Sequence, residues 1–388
     1  MIILLVTPTK NAEQFLDETI FSIVSQIGDF ELHYHIQDSQ SSDTTIAIIR
    51  KWEQILSNSE TIFQARFQRP KILFSWASEK DTGMYDAINR GFANLLSQVD
   101  RSSREKIVMS WLNGDDTFVQ GAFQTVTQFF EATEYRWITG NPCLIKPDSA
   151  IADLRDSPFG FSRYLLRKGL HDGRQYHFLQ QEGTFWRWSL WEEVGALNAS
   201  LQLAGDWDLW RRFAACSDLV TLKAVLGFHR RRHGQLSSDM GTYYQEVDTT
   251  LSKDTSPVDI DNPQNDYLLA LVGGWNTDTS QWEVYQQKIA VERQQESIDL
   301  SSKMHEKAQE ISDLQAQIEI LKSDLAYLST TKEAIRKLIK ATLKKIKLYN
   351  LAYQNYSFFV PIYNFFFRDR WTPLRASTRG KANDEFRE

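Results

Sequence analysis

The chain has 388 residues, 42% of them hydrophobic and 24% charged, with a net charge of −6, enough for one full-sized domain and a substantial appendage. Its two cysteines, Cys143 and Cys216, lie far apart with no paired spacing, which argues against both a disulfide-stapled fold and a cysteine zinc site. The mildly acidic balance offers no broad footprint for nucleic acid, and none is expected as a partner.

The apolar run from Met1 to Val6 has no basic residue ahead of it and no small-residue cleavage site behind, so it reads as a buried first strand rather than a signal peptide. Strand-like runs then alternate with helical patterns over about 230 residues, the mark of a mostly parallel sheet covered by helices. Ile2 to Val6 is the first strand. An amphipathic helix from about Ala12 to Gln26 follows, with Phe15, Thr19, Ile20, Ile23 and Val24 on one side. Leu32 to Gln37 is a second strand ending at Asp38, followed by a helix from Thr44 to about Leu56. Lys71 to Trp76 is a third strand and Met84 to Leu96 a helix. Lys106 to Leu112 is a fourth strand that runs straight into Asn113-Gly114-Asp115-Asp116. The expected class is α/β, with a Rossmann-like, mostly parallel sheet flanked by helices over residues 1–240. Ligands bind outside the carboxyl ends of strands in such sheets, so Asp38, Asp81, Asp115 and Asp116 are expected in one crevice.

Residues 241–281 are polar and punctuated by Ser256-Pro257, Asn262-Pro263 and Gly273-Gly274, which predicts a linker or small irregular subdomain. Over 282–330, Leu300, Met304, Ile311, Leu314, Ile318, Leu321, Leu325 and Leu328 recur at three- and four-residue steps broken only by Lys307, a coiled-coil seam roughly 40 Å long at ~1.5 Å per residue. It would support a homo-oligomer. Residues 331–367 pair a basic helix with an aromatic stretch. Lys332 to Lys347 holds seven Lys or Arg and one Glu, and Leu348 to Phe367 holds nine Tyr or Phe and no charge. This pattern suits an anionic membrane surface, with the chain peripheral at the cytoplasmic, inner face of the plasma membrane. Pro361 and four amide side chains disfavour a spanning helix. The alternative is that the aromatic stretch folds back as core. Residues 368–388 are expected to be a disordered tail.

For chemistry, the chain carries no G-x-x-x-x-G-K-[ST] loop and no G-x-G-x-x-G after a strand, so a glycine-rich turn does not cradle phosphates. Neighbouring carboxylates at a buried strand end repel and raise each other's pKa. A divalent cation relieves that cost, and oxygen ligands suit Mn2+ or Mg2+ better than Zn2+. Alone, Asn113-Gly114-Asp115-Asp116 reads more readily as a solvent-facing turn capping the next helix.

Its context is a set of motifs in order: Val6-Thr7-Pro8-Thr9-Lys10-Asn11, Gln37-Asp38-Ser39, Glu79-Lys80-Asp81-Thr82-Gly83-Met84-Tyr85-Asp86, Trp111 to Asp116, Gln181-Glu182-Gly183, Gly205-Asp206-Trp207-Asp208 and Phe228-His229-Arg230-Arg231-Arg232-His233. Together they resemble the inverting glycosyltransferases of family 2, which have the GT-A fold, as found in bacterial polysaccharide synthesis. The resemblance covers about residues 1 to 240 and implies transfer of a sugar from a nucleoside-diphosphate sugar to an acceptor hydroxyl of a growing glycan, which the charge pattern of residues 331–367 suggests is lipid-linked. It implies donor contacts from Thr7, Pro8, Asp38, Asp81, Asp86, Asn89, Asp115, Gln181 and Arg230, and metal ligation by Asp116, Asp115 and His233. Asp206 stands where the family has its aspartate base, with Gly205 in place of the usual Glu. Glu182 is the second candidate base. Asp38, Asp81, Asp86, Asn89 and Asp206 each have a bland alternative as helix or turn caps, and the arginines around His229 as a solvated loop. The five tryptophans from Trp186 to Trp210 suit core packing more than sugar stacking. Two rival readings remain: a catalytically silent coiled-coil scaffold, and a sugar-nucleotide nucleotidyltransferase, although Val6 to Asn11 lacks the latter's glycine-rich basic loop.

Overall fold

A computed structural model describes residues 1–58, 70–154, 160–174, 176–232, 234–253 and 267–290, with isolated residues 317, 341 and 344. The chain divides into two units, Met1–Ser302 and Lys303–Glu388, and every element named below belongs to the first. Apart from those isolated positions, the expected coiled coil beyond 290, the basic and aromatic segments and the tail lie outside the described residues.

The amino-terminal half is β1 (Ile2–Thr9), α1 (Leu16–Val24), β2 (Glu31–Asp38), α2 (Thr45–Asn58), β3 (Lys71–Ser78), α3 (Met84–Gln98) and β4 (Ile107–Trp111). It is the expected alternation, with each element within a few residues of its predicted place. There follow β5 (Thr117–Phe118), α4 (Ala122–Ala132), β6 (Trp137–Thr139), β7 (Cys143–Ile145), β8 (Ile151–Leu154), α5 (Arg163–Arg167), β9 (Thr184–Arg187), α6 (Trp188–Val194), α7 (Gly205–Cys216), β10 (Leu219–Leu222), β11 (Gly227–Arg230), α8 (Met240–Lys253), β12 (Tyr267–Asn276) and β13 (Gln281–Ala290).

Nine strands form the main sheet in the order β13-β12-β10-β6-β9-β4-β1-β2-β3, and β5-β11-β7-β8 form a second. In the main sheet β9 is antiparallel to both β4 and β6, and β13 to β12; the other neighbours are parallel. β1 shows why the sheet has this form. Its near-continuous apolar run is covered on both faces. Ile3 and Leu5 face Leu16, Ile20, Ile23 and Phe123, while Leu4 and Val6 face Ile88, Phe92, Trp111 and Trp186, as a two-residue period requires. Trp186, Trp191, Trp207 and Trp210 are buried and Trp188 is partly so. Trp111 and Trp210 stack with centroids 5.6 Å apart, so these indoles serve the core.

The stretch expected to be a linker or irregular subdomain is instead ordered in two parts: α8 begins at Met240, and β12 joins the main sheet beside β10. The expected coiled coil also begins too early, because 282–290 belong to β13. Gly273, which the sequence suggests as a breaker, is a place of close approach: a Cβ there would lie 2.7 Å from Leu222 Cδ2. The hairpin closes at Asn276, whose Oδ1 accepts N–H bonds from Asp278 and Thr279 at 2.8 and 3.1 Å, a local turn device.

Candidate functional site

The strand order reverses between β1 and β4, and the loops after β1, β2, β3 and β4 lie at one edge of the sheet, where such folds bind ligands. Asp38 ends β2, paired with Thr9 of β1 and Ser78 of β3. Its carboxylate is fully buried. The Thr9 hydroxyl donates to Oδ1 at 3.1 Å, the Ser41 N–H and Ser78 hydroxyl donate to Oδ2 at 2.9 and 2.6 Å, and the Ser41 hydroxyl closes on Oδ1. Asp81 accepts from Ser39 Oγ and Gly83 N, each at 3.1 Å, while its Oδ2 is buried without a hydrogen-bond partner. A Cβ on Gly114 would lie 3.3 Å from Thr9 Cγ2, so the Asp115-Asp116 loop abuts the residue that holds Asp38. The carboxylates expected to converge therefore share one edge.

Several expected donor contacts are turned to other work. Thr7 is fully buried, and its hydroxyl accepts from Tyr34 at 3.1 Å. Pro8 lies buried within β1. Asp86 takes the Thr82 N–H at 3.0 Å and pairs with Arg90 one helical turn on, at 2.8 Å. Asn89 uses both ends of its amide on Leu197, donating to the carbonyl at 2.8 Å and accepting the N–H at 3.1 Å. Arg230 is 0% exposed. It donates from Nε to the Asp115 carbonyl at 2.7 Å, from Nη1 to the Lys146 and Pro147 carbonyls and Ser149 Oγ, and from Nη2 to Glu18 at 2.8 Å. A guanidinium so occupied shapes the Asp115-Asp116 loop. Gln181 donates to the Trp111 carbonyl, leaving its Oε1 buried and unpartnered.

The described residues that could hold a metal ion share Asp116 with the expected set. Asp116, on the loop after β4, Glu182, in the turn before β9, and His229, in β11, each bring one ligand atom to within 4.8 Å of the others. His229 Nδ1 lies 3.1 Å from Glu182 Oε1 and 3.5 Å from Asp116 Oδ1. Asp115 points away to Arg232 Nε at 2.6 Å, and His233 lies outside the described residues. Close approach of backbones makes the group possible: a Cβ on Gly227 would lie 2.1 Å from the Glu182 carbonyl oxygen, so only glycine lets β11 pass the turn carrying Glu182.

Burial, then the Glu182 charge, raise Asp116 above the usual carboxylate range, while burial, then Asp116, raise Asp115. His229 is pushed down by burial, but the facing Glu182 and Asp116 carboxylates outweigh this and raise it well above an ordinary histidine. Glu182 Oε2 and Asn113 Oδ1 are buried without partners. Two carboxylates, an imidazole and orphaned oxygens in one buried place fit a divalent cation.

Asp206 stands at the start of α7, its Oδ1 accepting the Trp207 N–H at 2.8 Å and the Tyr85 hydroxyl at 3.4 Å. Burial, reinforced by the Glu182 charge, pushes its carboxyl up to about 6. The neighbouring Gly205 has a steric cause, since a Cβ there would lie 2.5 Å from the Tyr85 ring. A glutamate at this position would displace that ring.

The model of the family described as glycosyl transferase family 2 matches residues 4–185. Solved structures similar to the chain include S. aureus TarS 1-349 in complex with UDP-GlcNAc, at 15% identity and TM-score 0.46, covering 65% of this chain and 66% of that one. A further structure of S. aureus TarS is similar at 13% identity and TM-score 0.45, covering 65% of this chain and 39% of that one. The chain thus spans just under two thirds of the first of these and well under half of the second. No curated protein matches it.

Proposed function

We propose that the chain, whose residues 4–185 match the model of glycosyl transferase family 2, is an inverting, divalent-cation-dependent glycosyltransferase of the GT-A fold acting on a nucleoside-diphosphate sugar. The observation that carries the reading is the buried group Asp116, Glu182 and His229 with Asp206 electrostatically linked to Glu182. Asp116, Glu182 and His229 would hold Mn2+ or Mg2+, which when bound neutralises charge on the departing diphosphate. Asp38 and Asp81, at the ends of neighbouring strands, are suited to hydrogen bonds with the nucleoside. Asp206, raised toward neutrality by its burial, takes the proton of the acceptor hydroxyl as that oxygen attacks the anomeric carbon from the face opposite the diphosphate. Tyr85 holds the carboxylate in place. One displacement inverts the anomeric configuration.

The lipid-linked acceptor, the anionic membrane surface and the coiled-coil oligomer rest on the charge and heptad patterns beyond residue 290. Among the described residues no helix is long and apolar enough to cross a membrane. The reading is tested by incubating the full chain and Mn2+ with a panel of UDP-, GDP- and dTDP-sugars while following nucleotide release. Cation-dependent release from at least one donor, with an inverted sugar product by NMR, is expected. No release from any donor, or retention of configuration, overturns it.

A further inference from the structure

We infer that Glu246 on α8 is a positioning residue for Asp206, so that a helix beyond the family match completes the catalytic site. The inference rests on the proposed role of Asp206 as base. The carboxylate of Glu246 accepts three consecutive backbone N–H groups from the loop entering α7: Gln202 at 2.6 Å on one oxygen, and Leu203 and Ala204, both at 2.9 Å, on the other. Consecutive N–H groups aimed at one anion fix the course of a loop. Asp206 follows two residues after the last of them. α7 has no side-chain cap of its own at Ala204, and Glu246 takes the N–H of that residue, the bond that the glutamate of a capping box makes from within its own helix.

The same loop also supports Tyr85, whose hydroxyl donates to the Leu203 carbonyl at 2.9 Å while reaching Asp206. Glu246 thus fixes both the backbone before the base and the acceptor that anchors the base's hydroxyl partner. α8 itself is held independently. Val247 and Tyr243 pack with Ala204 and Trp207, and Arg174 forks onto Asp248 at 2.6 and 3.1 Å. The helix therefore remains docked when Glu246 changes, and the loop is the part that relaxes.

The test measures kcat and donor KM on the full-length chain for Glu246→Ala, Glu246→Gln and Glu246→Asp, using the best donor of the panel with Mn2+. Asp206→Asn serves as the reference. For Glu246→Ala, kcat is expected to fall about ten- to hundredfold while donor KM changes less than about threefold, as for a misplaced catalytic group in an intact donor site. Glu246→Gln retains an acceptor oxygen and is expected to recover part of the loss; Glu246→Asp, drawn back by one methylene, is expected to fall between wild type and alanine. Wild-type kcat in Glu246→Ala, or a kcat loss that glutamine does not relieve, overturns the inference. An inactive Asp206→Asn beside a fully active Glu246→Ala rejects the positioning role alone. A fully active Asp206→Asn rejects the role of the base and the inference with it.

Discussion

Asp38 on one side of the crevice and the carboxylates on the other are treated in opposite ways, while Asp81 beside Asp38 keeps one orphaned buried oxygen. On the side built from β1, β2 and β3, Asp38 is saturated, with serine and threonine hydroxyls and a backbone N–H on its two oxygens. On the side built from the β4 loop, the turn before β9, β11 and α7, Glu182 keeps an orphaned buried oxygen, and Asp115, Asp116 and Asp206 are all raised by burial. A saturated carboxylate is a rigid contact. An unsaturated one stores electrostatic cost that a cation, a proton or a substrate can relieve. The contrast suits Asp38 to the proposed recognition of the donor and the second side to the proposed chemistry.

The largest effect that would break this division is at Asp206. Asp206→Asn is expected to lower kcat about 10²- to 10⁴-fold, the usual contribution of a general base, with donor affinity retained in calorimetry. A small change would move the base elsewhere, Glu182 being the other candidate. The ligand side should respond next. Asp116→Asn and His229→Ala are each expected to weaken Mn2+ binding by at least the ~10–100-fold that even an outer-shell partner commands, as read by titration calorimetry.

The pH profile sharpens the same comparison. The base must be ionised, so kcat is expected to hold above about pH 6 and to fall roughly tenfold per unit below it, following the raised Asp206 carboxyl. Stability carries the opposite sign. A carboxyl raised in the folded state costs stability as pH climbs from its unfolded value through about 6. At neutral pH Asp206→Asn is therefore expected to stabilise the fold by roughly 1–3 kcal/mol in denaturant melts, a trade of stability for activity. A destabilised Asp206→Asn would place the carboxylate among the structural groups. Smallest in its effect on turnover is Asn89, which clamps Leu197. Asn89→Ala is expected to cost about 1–3 kcal/mol of stability through the lost amide bonds and leave kcat per folded molecule unchanged.

How much of this the sequence reveals follows the same divide. Strand-end carboxylates after β2, β3 and β4 are legible because a parallel sheet with local βα connections fixes where strand ends go. Asp206 is legible through its motif at the start of a helix. The ligand set is harder to read, because Glu182 and His229 meet only where β11 passes the turn at Gly227, 47 residues later in the chain. The four-residue spacing of His229 and His233 suggests a site without singling out His229, which faces Glu182 and Asp116. Arg230 and Asn89 mislead because a fork or an amide suited to a ligand is equally suited to loop backbone, and burial alone separates the two. The Gly273-Gly274 pair hid a strand, since its glycines answer to crowding by Leu222 rather than to a turn.

The central claim is tested most directly by electron paramagnetic resonance of Mn2+ titrated into the full-length chain with UDP and, separately, GDP. The account predicts one tightly bound ion per chain with at least one nucleotide, lost in both Asp116→Asn and His229→Ala. Undiminished binding in both variants, or no tight ion with either nucleotide, would contradict it.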